Sequence, residues 1–437
     1  MTPPTPSTGL PTDGAHAGAT AATTHPTTRT SWRSRPLERI LRRLLTNVSC
    51  GTLTVELPGG ERAEGRGAEP GPHGTIVLHR WKPLWRLAVG GDLGLAESYR
   101  QGEWSSPDLA ALLELGVRNE AGWGRALQAS LPARLVARLF HLRRANTRRG
   151  SRQNIAFHYD MGNDFYTQWL DPDMLYSSAI YATGQESLEQ AQQAKLARIA
   201  TLLSPKAGER VLEIGCGWGA LAIALARDTG ADVTGLTLSS EQLRHARQRV
   251  QEESLTERVN LRLQDYRDVD GQFDHIVSIE MLEAVGERYW PAYFETLKER
   301  LRPGGRAVVQ VITIADEHFE QYRSTTDFIQ RYIFPGGMLP SPSRLRDAMA
   351  QAGLALQAAE TFGPSYATTL AEWRHRFLSA WPSIEPLGFD APFRRLWEYY
   401  LCYCEAGFST GRVDVGLYTI VHADTGATAA RPVPSAG

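Results

Sequence analysis

The sequence predicts an α/β domain built on a parallel sheet covered by helices on both faces, and three observations support this. The first is the run Arg210-Val211-Leu212-Glu213-Ile214-Gly215-Cys216-Gly217-Trp218-Gly219. An apolar stretch turns polar at Glu213 and then gives three glycines in five residues, as a strand, a sharp turn and a helix start would. The second is the alternation around it: strand 210–215, helix 219–228, strand 232–237, helix 240–252, strands 258–263 and 273–279, helix 288–300 and strand 306–312. Strands alternating with helices of this length make a sheet whose ligand sits beyond the C-terminal strand ends. The third is a closing pair of strands, 354–360 and 416–421, around an aromatic-rich insertion at about 362–410.

Taken in order, residues 1 to about 30 are Thr, Pro, Ala, Gly and Ser with little charge, so they read as a disordered tail. From Pro36, Leu37, Ile40, Leu41, Leu44 and Leu45 recur at helical spacing with Arg39, Arg42 and Arg43 between them. This predicts an amphipathic helix with a basic face. Strands at 52–57 and 75–79 and helices at 95–99 and 108–115 complete a small N-terminal α+β domain, 31–150. Within it, Ala121 to Tyr159 carries eight arginines (Arg125, Arg134, Arg138, Arg143, Arg144, Arg148, Arg149 and Arg152) and no acid. An apolar stripe beside that basic face suits either an anionic bilayer or packing on the next domain. The main domain, 151–423, begins with a helix at 187–203, N-capped by Ser187, that leads into the glycine turn. A segment at 315–342 and a helix at 343–352 precede the closing strands, and residues 424–437 read as a second disordered tail.

Composition narrows the function classes. At 437 residues and 42% hydrophobic content the chain can bury a full core in two or three domains, and a net charge of −1 gives no basic field for nucleic acid. Four cysteines, Cys50, Cys216, Cys402 and Cys404, form no C-x-x-C pair, which predicts neither disulfides nor structural zinc. No run approaches eighteen apolar residues and the N-terminus lacks a secretory core, so the expectation is a cytoplasmic protein, peripheral on the inner face of a membrane. The sequence leaves oligomeric state open, with a homodimer compatible.

Gly215, Gly217 and Ala220 also satisfy the looser dinucleotide pattern, which wants an acid ending the second strand about twenty residues on. Strand 231–237 has its acid, Asp232, at the wrong end. Glu213 stands instead where class I methyltransferases place the acid that faces the methionine end of S-adenosylmethionine, so the turn resembles motif I of that Rossmann-like, seven-stranded fold. A dinucleotide site and a plain strand-helix turn stay open on this motif alone. In the methyltransferase reading Glu213, Gly215, Cys216, Gly217 and Gly219 form the cofactor turn. Thr237, Leu238 and Gln242 meet the ribose through uncharged groups, and Asp265 and Tyr266 meet the adenine amine and ring face. No metal is expected.

Further motifs narrow the resemblance. His158-Tyr159-Asp160-x-Gly162-Asn163-Asp164, Asp171-Pro172-x-Met174-x-Tyr176-Ser177, Gln192-Gln193-Ala194-Lys195, Gln264-Asp265-Tyr266-Arg267-Asp268, Tyr332-Ile333-Phe334-Pro335-Gly336-Gly337 and Tyr366-x-Thr368-Thr369-Leu370 resemble the cyclopropane-fatty-acyl-phospholipid synthase family over about 150–422. The resemblance implies methyl transfer from S-adenosylmethionine to the double bond of an unsaturated phospholipid acyl chain, with the insertion as a substrate lid. It implies that Tyr176 and Ser177 contact the cofactor, and that a bicarbonate ion accepts the proton lost afterwards. Glu283, Tyr366 and the Ile312 backbone match three of that ion's ligands, while Ser178 and Gln310 stand where the family has cysteine and histidine. Glu280-Met281-Leu282-Glu283-Ala284-Val285-Gly286, with Gln310 and Gly102-Glu103-Trp104, is most similar to the tuberculostearic-acid branch, whose product is methylene-branched and not a ring. Such chemistry needs a dry, aromatic channel, for which Phe328, Tyr332, Phe334, Trp373, Phe377 and Trp397 are candidate walls. A small-molecule methyltransferase and an idle lipid-binding homologue are the competing readings.

Overall fold

The computed structural model describes residues 35–126 and 161–423. The tails and most of the arginine-rich stretch, including Arg134 to Arg152 and the His158-Tyr159-Asp160 triplet, lie outside the described residues.

The N-terminal part opens with α1 (Arg35–Thr46), which buries Leu41 and Leu44 and turns Arg39, Arg42 and Arg43 to solvent. A four-stranded sheet follows, in the order β2-β1-β3-β4, from β1 (Cys50–Glu56), β2 (Arg62–Arg66), β3 (Glu69–Leu78) and β4 (Trp104–Ser105). Between β3 and β4 runs α2 (Lys82–Arg100), kinked at Gly91, where φ is 61°. Two helices, α3 (Leu109–Arg118) and α4 (Glu120–Ala126), close the unit. Buried Asn119 locks the start of β1: its Oδ1 accepts from Ser49 N at 2.7 Å and its Nδ2 donates to Cys50 O at 2.9 Å.

After a single turn, α5 (Asn163–Tyr166), and a strap, α6 (Leu188–Leu203) starts on a capping box in which Ser187 and Gln190 satisfy each other's backbone N–H. The main sheet is built from β5 (Arg210–Ile214), β6 (Asp232–Thr237), β7 (Val259–Leu263), β8 (Phe273–Ile279), β9 (Leu301–Ile314), β10 (Leu354–Thr361) and β11 (Val413–His422). Its order is β10-β11-β9-β8-β5-β6-β7. The seven strands are as expected, but the sheet is mixed: β11 runs antiparallel to both β9 and β10. Its helices are α7 (Ala220–Thr229), α8 (Ser240–Glu252), α9 (Leu282–Val285), α10 (Trp290–Arg300), α11 (Asp316–Ser324), α12 (Phe328–Tyr332) and α13 (Pro342–Gln351).

The insertion between β10 and β11 is helical: α14 (Gly363–Ser379), α15 (Trp381–Ile384) and α16 (Ala391–Ser409). It packs back on the N-terminal unit, α16 against α2 and α3. One hydrophobic cluster runs without a break from Leu53 and Trp104 through Trp169 to Trp373, Trp397 and Tyr400. Tyr99 Oη donates across this seam to Glu398 Oε2 at 3.0 Å, and Tyr332 Oη at the end of α12 donates to Glu97 Oε2 of α2 at 3.2 Å. Lid and N-terminal unit therefore form a common roof over the C-terminal ends of the central strands. No helix of the described residues is long and apolar enough to cross a membrane.

Candidate functional site

The glycine turn is held by its neighbour strand, because Gly215 N and Cys216 N both donate to Leu236 O, at 3.0 and 2.8 Å. Gly217, at φ 51°, has no heavy atom within 4 Å of where a Cβ would stand, so its open side faces space that a ligand can fill. That space is a cavity lined by Tyr176, Ser177, Glu213, Gly215, Cys216, Gly217 and Gln242, all expected cofactor contacts. Glu213 is buried, its Oε2 has no hydrogen-bond partner among the described residues, and burial pushes its carboxyl up to about 8. An orphaned acid beside an open glycine turn fits a cationic, hydroxyl-rich cofactor such as S-adenosylmethionine.

Five expected contacts do not line this cavity. Gly219 starts α7, and a Cβ there would meet Ala246 Cβ at 3.0 Å, so this glycine serves the packing of α7 on α8. Thr237 Oγ1 donates to Gln242 Oε1 at 2.9 Å and accepts from Ser239 N at 3.1 Å. It therefore orients Gln242, with Leu238 in the turn between them. Asp265 accepts both guanidinium bonds of Arg267, at 2.8 and 2.6 Å, a cation two residues away that the sequence reading overlooked. Tyr266 packs edge-on to Tyr293 at 5.7 Å in the core behind the sheet.

The strap from Asp171 to Tyr181 forms the opposite wall. Asp171 caps it by accepting from Leu175 N at 2.8 Å, Gln192 Nε2 donates to Ser177 O at 3.0 Å, and Ala179 N donates to Thr369 Oγ1 at 3.1 Å. Aromatic rings back this wall: Tyr176 lies 5.3 Å from Trp373, and Trp373 lies 6.1 Å from Tyr366. Of the candidate channel walls, Phe328, Trp373, Phe377 and Trp397 are core residues, and Tyr332 and Phe334 are only partly buried.

All five positions matched to bicarbonate ligands converge at the ends of β8 and β9, but they converge on two carboxylates. Glu280 Oε1 accepts from Ser178 N at 2.8 Å and from Gln310 Nε2 at 2.7 Å, and Glu280 Oε2 accepts from Tyr366 Oη at 2.7 Å. The Ser178 hydroxyl is not the donor, since it bonds Ala179 O at 2.9 Å. Glu283 takes the remaining position: its Oε1 accepts from Ile312 N at 2.6 Å, while its Oε2 has no partner among the described residues. Burial and then the charge of Glu280 push Glu283 up to about 8.

Glu280 is the residue that sequence reasoning missed. Its signal was present, a charged side chain directly ending a buried apolar strand, but Glu283 absorbed the single acid that the resemblance called for. Its backbone sits at φ 48°, a left-handed conformation costing a non-glycine residue about 1–2 kcal/mol. It also lines the same cavity as Glu213 and Gly217, so the part of its surface left uncovered opens inward. Lys195 was quoted but given no role. It is fully buried, lines that cavity and donates from Nζ to Ser177 Oγ at 2.6 Å. Burial lowers Lys195 to about 8, against the opposing pull of Glu280 and Asp171.

The residues present do not fit a bicarbonate ion. Ser178 N, Gln310 Nε2, Tyr366 Oη and Ile312 N already donate to side chains of the protein, so the donors such an ion would need are taken.

Among known proteins, the family model described as mycolic acid cyclopropane synthetase matches residues 146–417. A tuberculostearic acid methyltransferase of Mycobacterium tuberculosis is 39% identical over 403 residues, covering 88% of this chain and 90% of its own. The cyclopropane-fatty-acyl-phospholipid synthase of Escherichia coli is 37% identical over 340 residues, covering 77% and 84%. A crystal structure of a mycolic acid cyclopropane synthase complexed with SAH and CTAB has a TM-score of 0.58 at 29% identity, covering 62% of this chain and 97% of that one.

Proposed function

Because this chain belongs to the mycolic acid cyclopropane synthetase family, we propose that it moves a methyl group from S-adenosylmethionine to the double bond of an unsaturated phospholipid acyl chain. The observation that carries this reading is that Gly217, Glu213 and Glu280 line one and the same cavity. A methyl donor and a proton acceptor then face the same space under an aromatic roof.

When bound, the cofactor supplies a sulfonium methyl electrophilic enough for an alkene to attack. The chain's own residues do the rest. Glu213 and the glycine turn hold the donor, with Gln242 oriented by Thr237. Tyr176, backed by Trp373 and then Tyr366, walls the site against water, which would otherwise capture the cation left on the acyl chain. The proton lost from that cation must go to a group inside the cavity. The product is a ring or a mid-chain methylene or methyl branch.

Label from methyl-labelled donor should partition into unsaturated phospholipid vesicles and not into soluble amines offered in parallel. Recovery in the amines alone would replace the lipid reading.

The pH dependence of donor binding follows from Glu213. Held protonated up to about 8 in the empty site, it ionises more readily beside a cation, so donor binding at pH 7 should release a proton and affinity should rise between pH 6 and 8. Calorimetry in two buffers of different ionisation enthalpy measures that proton, and Glu213→Gln should abolish it.

The substrate's location points to an anionic membrane surface on the cytoplasmic side. Arg39, Arg42 and Arg43 are exposed on α1, Trp85 and Val89 are exposed on α2, and the arginine run to Arg152 adds charge. Each basic residue near such a surface contributes about 1 kcal/mol, screened by salt. Binding to phosphatidylserine-containing vesicles should fall at least about 10-fold on raising salt from 0.05 to 0.5 M, a loss of about 1.4 kcal/mol.

A further inference from the structure

We propose that the Glu280 carboxylate is the built-in proton acceptor of this reaction, seated where three donors would otherwise hold a dissolved anion, and that the chain therefore turns over without bicarbonate. The proposal rests on the lipid-methylation reading and adds to it the identity of the base. Three observations carry it. The first is geometric: Ser178 N, Gln310 Nε2 and Tyr366 Oη approach the two oxygens at 2.7–2.8 Å, from the strap, β9 and α14 respectively. These are three of the positions that the family resemblance assigns to an anion, and here a side chain fills them. The second is conformational. Only a left-handed backbone at φ 48° ends β8 with this side chain turned into the cavity, and glycine is the residue that adopts it without cost. The third is the company it keeps: the buried Lys195 ammonium, tied to Ser177 Oγ, offers a fixed positive charge on the same cavity.

The step balances within the site. The C–S bond breaks with its electron pair going to sulfur, the alkene π pair forms the new C–C bond, and the adjacent chain carbon becomes cationic. For a ring, a methyl C–H bond then breaks, its pair closes the second C–C bond and the proton passes to Glu280. For a methylene branch, a hydride first shifts from the methylated carbon to its cationic neighbour, and the methyl C–H pair becomes the new double bond. In both cases the sulfonium's charge leaves as one proton on Glu280. Burial raises the Glu280 carboxyl above its ordinary value, while Ser178 N–H, Tyr366 and Lys195 pull it back. The net shift is upward, so the ionised carboxylate is a better base than a solvated one.

The test uses full-length protein, methyl-labelled donor and unsaturated phospholipid vesicles, in CO2-stripped buffer and in buffer with added bicarbonate, on wild type, Glu280→Gln and Glu280→Gly. The wild-type rate should agree within 2-fold in the two buffers. Glu280→Gln should lose at least about 100-fold in rate, with donor affinity by calorimetry within about 3-fold. Glu280→Gly, whose backbone conformation suits glycine, should lose as much and regain at least 10-fold with added bicarbonate or formate. A wild type that slows 10-fold on stripping and recovers with bicarbonate would overturn the proposal, even if every variant failed to fold. So would Glu280→Gln retaining more than a tenth of the rate. A wild type that methylates soluble amines and no acyl lipid would instead remove the lipid reading beneath it.

Discussion

Gly217→Val should weaken binding of S-adenosylmethionine by at least about 100-fold, which is about 2.7 kcal/mol, while leaving the protein folded. Two effects combine. A β-branched residue at φ 51° is strained by about 1–3 kcal/mol. Its methyls would also project into the cavity that Glu213 and Tyr176 line, because no atom of the described residues lies within 4 Å of the Cβ position. The same openness spares the fold, since no neighbour must move. Gly219→Val is the contrasting control: its Cβ would press on Ala246 at 3.0 Å, so it should lower the melting temperature first. Donor affinity within 3-fold of wild type in Gly217→Val would place the cofactor elsewhere.

Tyr366→Phe should lower turnover by about 5- to 150-fold with donor affinity nearly unchanged. The tyrosine hydroxyl donates to Glu280 Oε2 at 2.7 Å, and the ring does not line the cofactor cavity. Removing the hydroxyl leaves a buried carboxylate oxygen without its donor, a penalty of about 1–3 kcal/mol that falls on the ionised form. The sign follows: the hydrogen bond lowers the Glu280 pKa, so its loss raises it, and less of the carboxylate is ionised at a given pH. The acidic limb of the pH–rate profile should therefore move to higher pH. Phenylalanine keeps the ring against Phe408, 4.4 Å away, and against Trp373, so a purely structural role would leave that limb in place. An unmoved limb with full turnover would detach Tyr366 from the reacting centre.

The parts of this fold that could be read in advance are those where local chemistry and tertiary role coincide. The glycine turn after β5 and the Ser187 cap of α6 each need particular residue types at particular spacings, and both lie where the sequence puts them. Other elements hid because packing overrode local pattern. β2, Arg-Ala-Glu-Gly-Arg, is an edge strand whose charges face solvent, so it carries no apolar alternation. α2 crosses Gly90, Gly91 and Gly94, and β9 reaches back through Pro303, Gly304 and Gly305, residues that normally end an element. β11 enters the sheet antiparallel between β9 and β10, a pairing fixed by long-range contacts and not by its own residues.

The site divides the same way. Glu213, Gly215, Cys216, Gly217 and Gln242 line one cavity where strand-end position puts them, and Tyr176 and Ser177 join them from the strap, where only the family resemblance pointed. Asp265 pairs with Arg267, a nearer cation whose reach strand-end position alone does not reveal. The donor set around Glu280 was invisible for a subtler reason. Three residues apart, the two acids differ only in which hydrogen-bond donors the fold brings to each, and those donors come from segments over 100 residues apart.

The most direct measurement of the central claim is mass spectrometry of acyl chains released from unsaturated phospholipid vesicles after incubation with trideuteromethyl-labelled S-adenosylmethionine. The account predicts one added carbon at the former double bond carrying two of the three deuterons, the third having been removed as the proton that Glu280 accepts. Acyl chains without label from a protein that consumes the donor, or chains that keep all three deuterons, would contradict it.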